Sequence, residues 1–175
     1  SIDKRIQPDV TPYACSSTAT DYIDPLLEPA ADVTYDEGSR VCFRLRLDFS
    51  DSNSTRNPAL TDFLPDYITY EAGSAVVVAG SEPATLASTE PLRWNIGTTQ
   101  GSSRFASPNG FFEVRFSGIV TKASPKPQPD ITANLAKFSW QNTAGRSFGL
   151  RDKLDFSIQP PPPATPSRVR GGLRL

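Results

Sequence analysis

Along "RVCFRLRLDF" (residues 40–49) apolar and polar side chains alternate: Val41, Phe43, Leu45, Leu47 and Phe49 on one face, Cys42, Arg44, Arg46 and Asp48 on the other. A period of two marks a strand with one face in a core and one in water. The same pattern groups Leu92, Trp94 and Ile96 in "LRWNIG", and Phe112, Val114, Phe116 and Val120 in "GFFEVRFSGIV". It groups Asn134, Ala136, Phe138 and Trp140 in "NLAKFSW", and Leu154, Phe156 and Ile158 in "KLDFSI". "YITYEAGSAVVVAG" supplies two shorter strands around Ile68 and Val77. Clusters of Gly, Pro, Ser and Asn, among them "DSNSTRNPA", "TTQGSSRFASPNG" and "KASPKPQPD", read as the loops between them. No segment keeps a helical apolar period over three turns. "DYIDPLLEPAADV" has room for one helical turn, limited by Pro25 and Pro29. Seven or more short strands with such punctuation predict an all-β antiparallel β-sandwich.

Polar residues interrupt three of the apolar faces. In "SIDKRIQPD" Lys4 shares parity with Ile2 and Ile6; in "LTDFL" Asp62 shares it with Leu60 and Leu64; Asn134 opens the face of Ala136, Phe138 and Trp140. A lysine taken out of water is more readily neutral and nucleophilic, and a carboxyl in the same place stays protonated more readily. An amine, an acid and a carboxamide together permit one self-modification. The amine attacks the Asn134 side-chain carbonyl, Asp62 shuttles protons, ammonia leaves, and an isopeptide bond joins two strands without a cofactor. The plainer alternative is a buried Lys4–Asp62 ion pair with Asn134 as a hydrogen-bonding neighbour.

Composition narrows the field. The chain has 175 residues, net charge −1, 37% hydrophobic and 21% charged residues, as expected of one globular domain of ordinary polarity. The charge balance points to no nucleic-acid partner, and no apolar run approaches the roughly 20 residues of a membrane span. The chain starts at Ser1 and lacks Met, as a mature or excised fragment would. It also lacks His, which argues against triad hydrolases and most zinc enzymes, so no enzymatic turnover is expected. Cys15 and Cys42 have no CxxC spacing. They form either one disulfide, which would place the protein outside the cytosol, or two buried thiols. Asp48, Asp51 and Asn53 are oxygen ligands of the kind calcium uses, but they lack the EF-hand spacing and a solvated turn is the better reading. Trp94 and Trp140 share core parity, so packing rather than carbohydrate binding accounts for them. Residues 159–175, "QPPPPATPSRVRGGLRL", form a proline-rich linker or tail after a domain spanning 1–158.

The order of these segments resembles the DUF11-type repeat domain of bacterial surface proteins, an immunoglobulin-like relative of Cna-B-type adhesin and pilin domains. The resemblance runs from "SIDKRIQPD" through "EGSRVCFRLRLDF", "TDFLPDYITYEAGS", "WNIG" and "ITANLAKFSW" to "LDFSI", with "TDFLP…Y…GS" its most specific part. It implies an immunoglobulin-like sandwich, Lys4 and Asn134 as a joined pair, and Asp62 as the acid. Asn142 in "WQNTAG" is an alternative acceptor, past the strand in a turn position. Residues 9–36 form a longer insertion than the family pattern has, and Cys42 is well placed to pin it through Cys15. The implied role is a stalk, adhesin or fibre module at the bacterial cell surface, whose partners are neighbouring domains of the same polypeptide or like subunits. The alternatives are a filament subunit assembled by strand or tail exchange, and a ligand-binding adhesin domain.

Overall fold

The structure, a computed structural model, describes residues 1–8, 14–27, 33–50, 54–126 and 129–163. The alternating segments become strands β1 (Ile2–Ile6), β2 (Thr34–Tyr35), β3 (Arg40–Asp48), β4 (Thr55–Phe63), β5 (Ile68–Tyr70), β6 (Val76–Val77) and β7 (Ala84–Thr89). After these come β8 (Leu92–Ile96), β9 (Thr98–Gln100), β10 (Ser103–Ala106), β11 (Phe111–Val120), β12 (Asp130–Gln141) and β13 (Ser147–Ile158). One sheet runs β1-β3-β11-β5, with β6 also on β11. The other runs β2-β13-β12-β4-β10-β9, with β8 on β4 and β7 on β8. The two pack as an immunoglobulin-like β-sandwich.

Register explains the core. Lys4 pairs with Leu45 and Leu45 with Val114; Ile6 pairs with Phe43 and Phe43 with Phe116. The inward face of the first sheet is therefore a continuous apolar layer apart from Lys4. Opposite it, Leu60, Leu92, Trp94, Ala136, Phe138, Leu154, Phe156 and Ile158 are buried. Rings of both sheets meet at the centre, Phe43 with Phe156 at 6.0 Å and Trp94 with Phe116 at 5.5 Å between centroids. Burying each such side chain stabilises by roughly 1.5–3 kcal/mol.

Two segments read as loops contain strands. "DSNSTRNPA" contributes the first residues of β4, and "TTQGSSRFASPNG" contains all of β9 and β10. In β4 the alternation is broken by a bulge: Ala59 pairs with Ser139 but Arg56 with Gln141, so Asn57 and Pro58 together face Trp140. Asn57 has φ 48°, and Pro58, with no N–H to give, sits where the ladder is already interrupted. Between β8 and β9, Gly97 has φ 92° and a Cβ there would lie 2.3 Å from the Phe105 carbonyl oxygen, so only glycine fits this corner. Val76 and Val77 are strand residues but exposed.

Of the described part of the insertion, residues 14–27 lie against the first sheet and the end of β1, and residues 34–35 join the second sheet as β2. Ile6 and Ile23 exchange backbone hydrogen bonds of 2.9 and 2.8 Å, β2 runs parallel to the end of β13, and the Tyr35 hydroxyl donates to the Gln7 carbonyl at 2.6 Å. The helical turn is a 3-10 turn at Ala19–Asp21, which meets the segment in which one was expected at its first residue, Asp21. Cys15 and Cys42 are joined in a disulfide. Beneath this cover the outward face of the first sheet is partly buried. Glu113 accepts from Arg44 (2.8 Å), Arg46 (3.3 Å) and Arg115 (2.9 Å). Burial alone would raise the Glu113 pKa, but the Arg44 and Arg115 hydrogen bonds outweigh it and hold it low. Tyr22 lies over Arg115, and burial pushes its hydroxyl up to about 12.

Candidate functional site

β1 sits at the end of the first sheet with Lys4 on its inward face, so the side chain crosses the sandwich toward β4. Lys4 Nζ donates to Asp62 Oδ2, and both side chains are 0% exposed. Asp62 pairs with Ala136 on β12 and with Leu92 on β8, in the middle of the second sheet. Asn134 lies two residues before Ala136 on the same face, a diagonal neighbour of Asp62, and is also fully buried. Strand parity thus brings the three residues singled out in the sequence to one place.

Their surroundings are nearly dry. Phe43 holds its ring 5.5 Å from Lys4 Nζ. Burial lowers the Lys4 pKa, against the opposing charge and hydrogen bond of Asp62 and a weaker charge effect of Asp152. Burial likewise raises the Asp62 pKa, against Lys4 and, last, Asn134. Both shifts favour the uncharged pair, a free amine beside a protonated carboxyl. Neither the nitrogen nor the oxygen of the Asn134 carboxamide makes a hydrogen bond of normal geometry, and Asp62 Oδ1 has no partner either. The amide is nevertheless near enough to favour Asp62 ionisation. Buried polar atoms of this kind are rare in folded proteins, and three in one place call for an explanation.

Asp152 was not singled out in the sequence. Its Oδ2 accepts from the Lys4 backbone N–H at 2.8 Å, tying β1 to β13 across the open side of the sandwich. The signal was present: Asp152 lies two residues before Leu154, on the inward face of its strand. Asn142 sits in the β12–β13 turn, where its Oδ1 accepts from the Arg146 N–H at 2.9 Å. Asp48 is held by Arg46 at 2.8 Å, while Asp51 and Asn53 lie outside the described residues. Trp94 is fully buried, and Trp140 is half-buried between Phe138 (4.6 Å) and Phe148 (5.6 Å). A cavity of ≈ 590 Å³ opens at the end of the sandwich with Asp62, Leu64, Ile68, Tyr70 and Lys122 in its wall.

An all-β sandwich of this kind is shared with surface-fibre proteins. The chain is similar to the major pilin subunit BcpA of Bacillus cereus, with a TM-score of 0.53 and 11% identity, over 91% of this chain and 40% of that one. It is also similar to the full-length major pilin SpaD of Corynebacterium diphtheriae, with a TM-score of 0.54 and 7% identity, over 89% of this chain and 35% of that one. The chain therefore spans well under half the length of either pilin. At such identities the likeness is one of fold. No family model matches the sequence, and no curated protein matches it.

Proposed function

We propose that this chain is a non-enzymatic structural module of a bacterial cell-surface or extracellular fibre, stalk or adhesin, of the DUF11-like kind, stabilised by a Lys4–Asn134 isopeptide bond. One observation carries the reading: an amine, a carboxyl and a carboxamide from distant strands meet in a dry interior, the carboxamide without hydrogen bonds. The fold shared with two major pilins supports the setting. In the reaction the neutral Lys4 amine attacks Asn134 Cγ. The Nζ–Cγ bond forms, the Cγ–Nδ2 bond breaks, and Asp62 moves a proton from Nζ to the departing nitrogen, which leaves as ammonia. Asp62 ends as it began. Fixed proximity between strands is worth about 7–11 kcal/mol of such a barrier. Closing a loop of about 130 residues would restrain the unfolded chain by roughly 5 kcal/mol.

Intact-mass spectrometry under reducing conditions tests this directly. The expected mass is one ammonia below the sequence value, with a branched Lys4–Asn134 peptide after digestion. Lys4→Ala, Asn134→Ala and Asp62→Ala should each return the full mass. A wild-type protein at full mass would remove the cross-link and leave a buried ion pair.

A further inference from the structure

The outward faces of the two sheets differ in how their cations are partnered. On the first, Arg40 is paired with Glu71, and Arg44, Arg46 and Arg115 converge on Glu113. On the second, Lys153 is paired with Asp155 at 2.8 Å, but Arg93, Lys137 and Arg151 are exposed, and among the described residues none of these three forms an ion pair. Register sets them in one row: Arg151 opposite Lys137, Lys137 opposite Thr61, Thr61 opposite Arg93, Arg93 opposite Ser88. The row crosses five strands, and with strands about 4.8 Å apart the backbones of Lys137 and Arg93 are roughly 10 Å from each other.

Two shallow grooves open on this face, the first along the row from Lys137 to Ser88 and the second meeting it at Arg93. One, of ≈ 320 Å³, is lined by Thr61, Phe63, Ser88, Arg93, Lys137 and Ser139, among others. The next, of ≈ 340 Å³, shares Arg93 and adds Asn57, Asn95, Ser102 and Arg104. Among the described residues neither lining contains an Asp or Glu. Phe63 exposes 41% of its surface at the groove. The face therefore offers spaced cations, hydroxyl and amide groups between them, and one flat apolar ring.

We propose that this face binds a linear acidic polysaccharide, a chain carrying carboxylate or sulfate groups on successive sugar units. The cations meet the acidic groups, the Ser, Thr and Asn side chains meet sugar hydroxyls, and Phe63 packs on the C–H face of a ring. Single-stranded nucleic acid fits less well, because its bases need successive aromatic platforms and the groove has one. The inference does not depend on the isopeptide bond.

Fluorescence anisotropy with labelled heparin and labelled polygalacturonate tests it, with neutral dextran and a single-stranded oligonucleotide as the other arms. The acidic glycans should bind at low salt and release as salt rises, and dextran should not bind. Exposed charge contacts are individually weak, so Arg93→Gln/Lys137→Gln/Arg151→Gln together should weaken binding about tenfold. Arg5→Gln/Lys122→Gln/Lys126→Gln, which removes the same charge elsewhere, should change it little. Absence of binding to both acidic glycans, equal loss in the two triple variants, or tighter binding of the oligonucleotide would each overturn the proposal.

Discussion

Lys4 and Asp62 are each expensive to take out of water, and together they are tolerable because each answers the other. Removing one leaves the other without compensation, whereas replacing both with apolar side chains of similar size leaves nothing to solvate. Lys4→Met should therefore be markedly less stable than Lys4→Met/Asp62→Leu, by about 3 kcal/mol, although the second carries more changes. Neither variant can form the cross-link, so the comparison isolates the cost of burying Asp62 without its partner. Urea melts of the two proteins read the difference, and equal midpoints would mean that Asp62 is solvated in the absence of Lys4. These residues were legible in the sequence for a simple reason. A period of two leaves little freedom in which face a side chain takes, so a Lys between two Ile, or an Asp between two Leu, is assigned inward by its neighbours. What parity could not supply was distance, since it does not say which strands lie opposite one another.

Among the elements, alternation located the strands whose inward face is apolar and failed where packing does not impose it. β7 is mostly exposed and its sequence carries no alternation to assign it, while β9, exposed throughout, and the bulged start of β4 read as loops. The long β12–β13 hairpin extends past the core, and Ser147–Arg151 is exposed on both faces, leaving no periodic signal to read. Charged pairs between elements are equally silent in the sequence. Arg40, at the start of β3, grips Glu71 just after β5 through two bonds of 2.8 and 2.7 Å, and Ser117 of β11 donates to the same carboxylate at 2.6 Å. Hydrogen bonds from Arg40 and Ser117 hold the Glu71 pKa down to about 2. Because this lies below the ordinary value of 4.5, the unfolded chain takes up the proton first as pH falls. The stabilisation is complete above about 4.5 and is lost as pH drops through about 2. Glu71→Gln should cost about 1 kcal/mol at pH 7, the worth of a partly exposed bidentate pair. In chemical melts at several pH values the gap from wild type should close between pH 4.5 and 2; a constant gap would assign the loss to packing.

At the scale of the molecule, the direction of load decides what a cross-link between β1 and β12 accomplishes. Among the described residues β1 pairs with one full strand, β3, and in a sandwich pulled from its ends such a strand is the first to peel. The Ile6–Ile23 bridge and the Asp152 hydrogen bond to Lys4 oppose this, but both are non-covalent. With Nζ of Lys4 bonded to Cγ of Asn134, tension passes from β1 directly to β12, and the chain between them carries none of it. Single-molecule stretching through the termini should then release only the residues outside that circuit. The missing extension would be about 130 residues, roughly 440 Å at full stretch. Lys4→Ala should restore it and lower the unfolding force. A wild-type trace that releases the full length would show that β1 is held by packing and hydrogen bonds alone. The comparison is made with the Cys15–Cys42 disulfide reduced, since an intact bond would withhold its own 27 residues from the extension that Lys4→Ala restores.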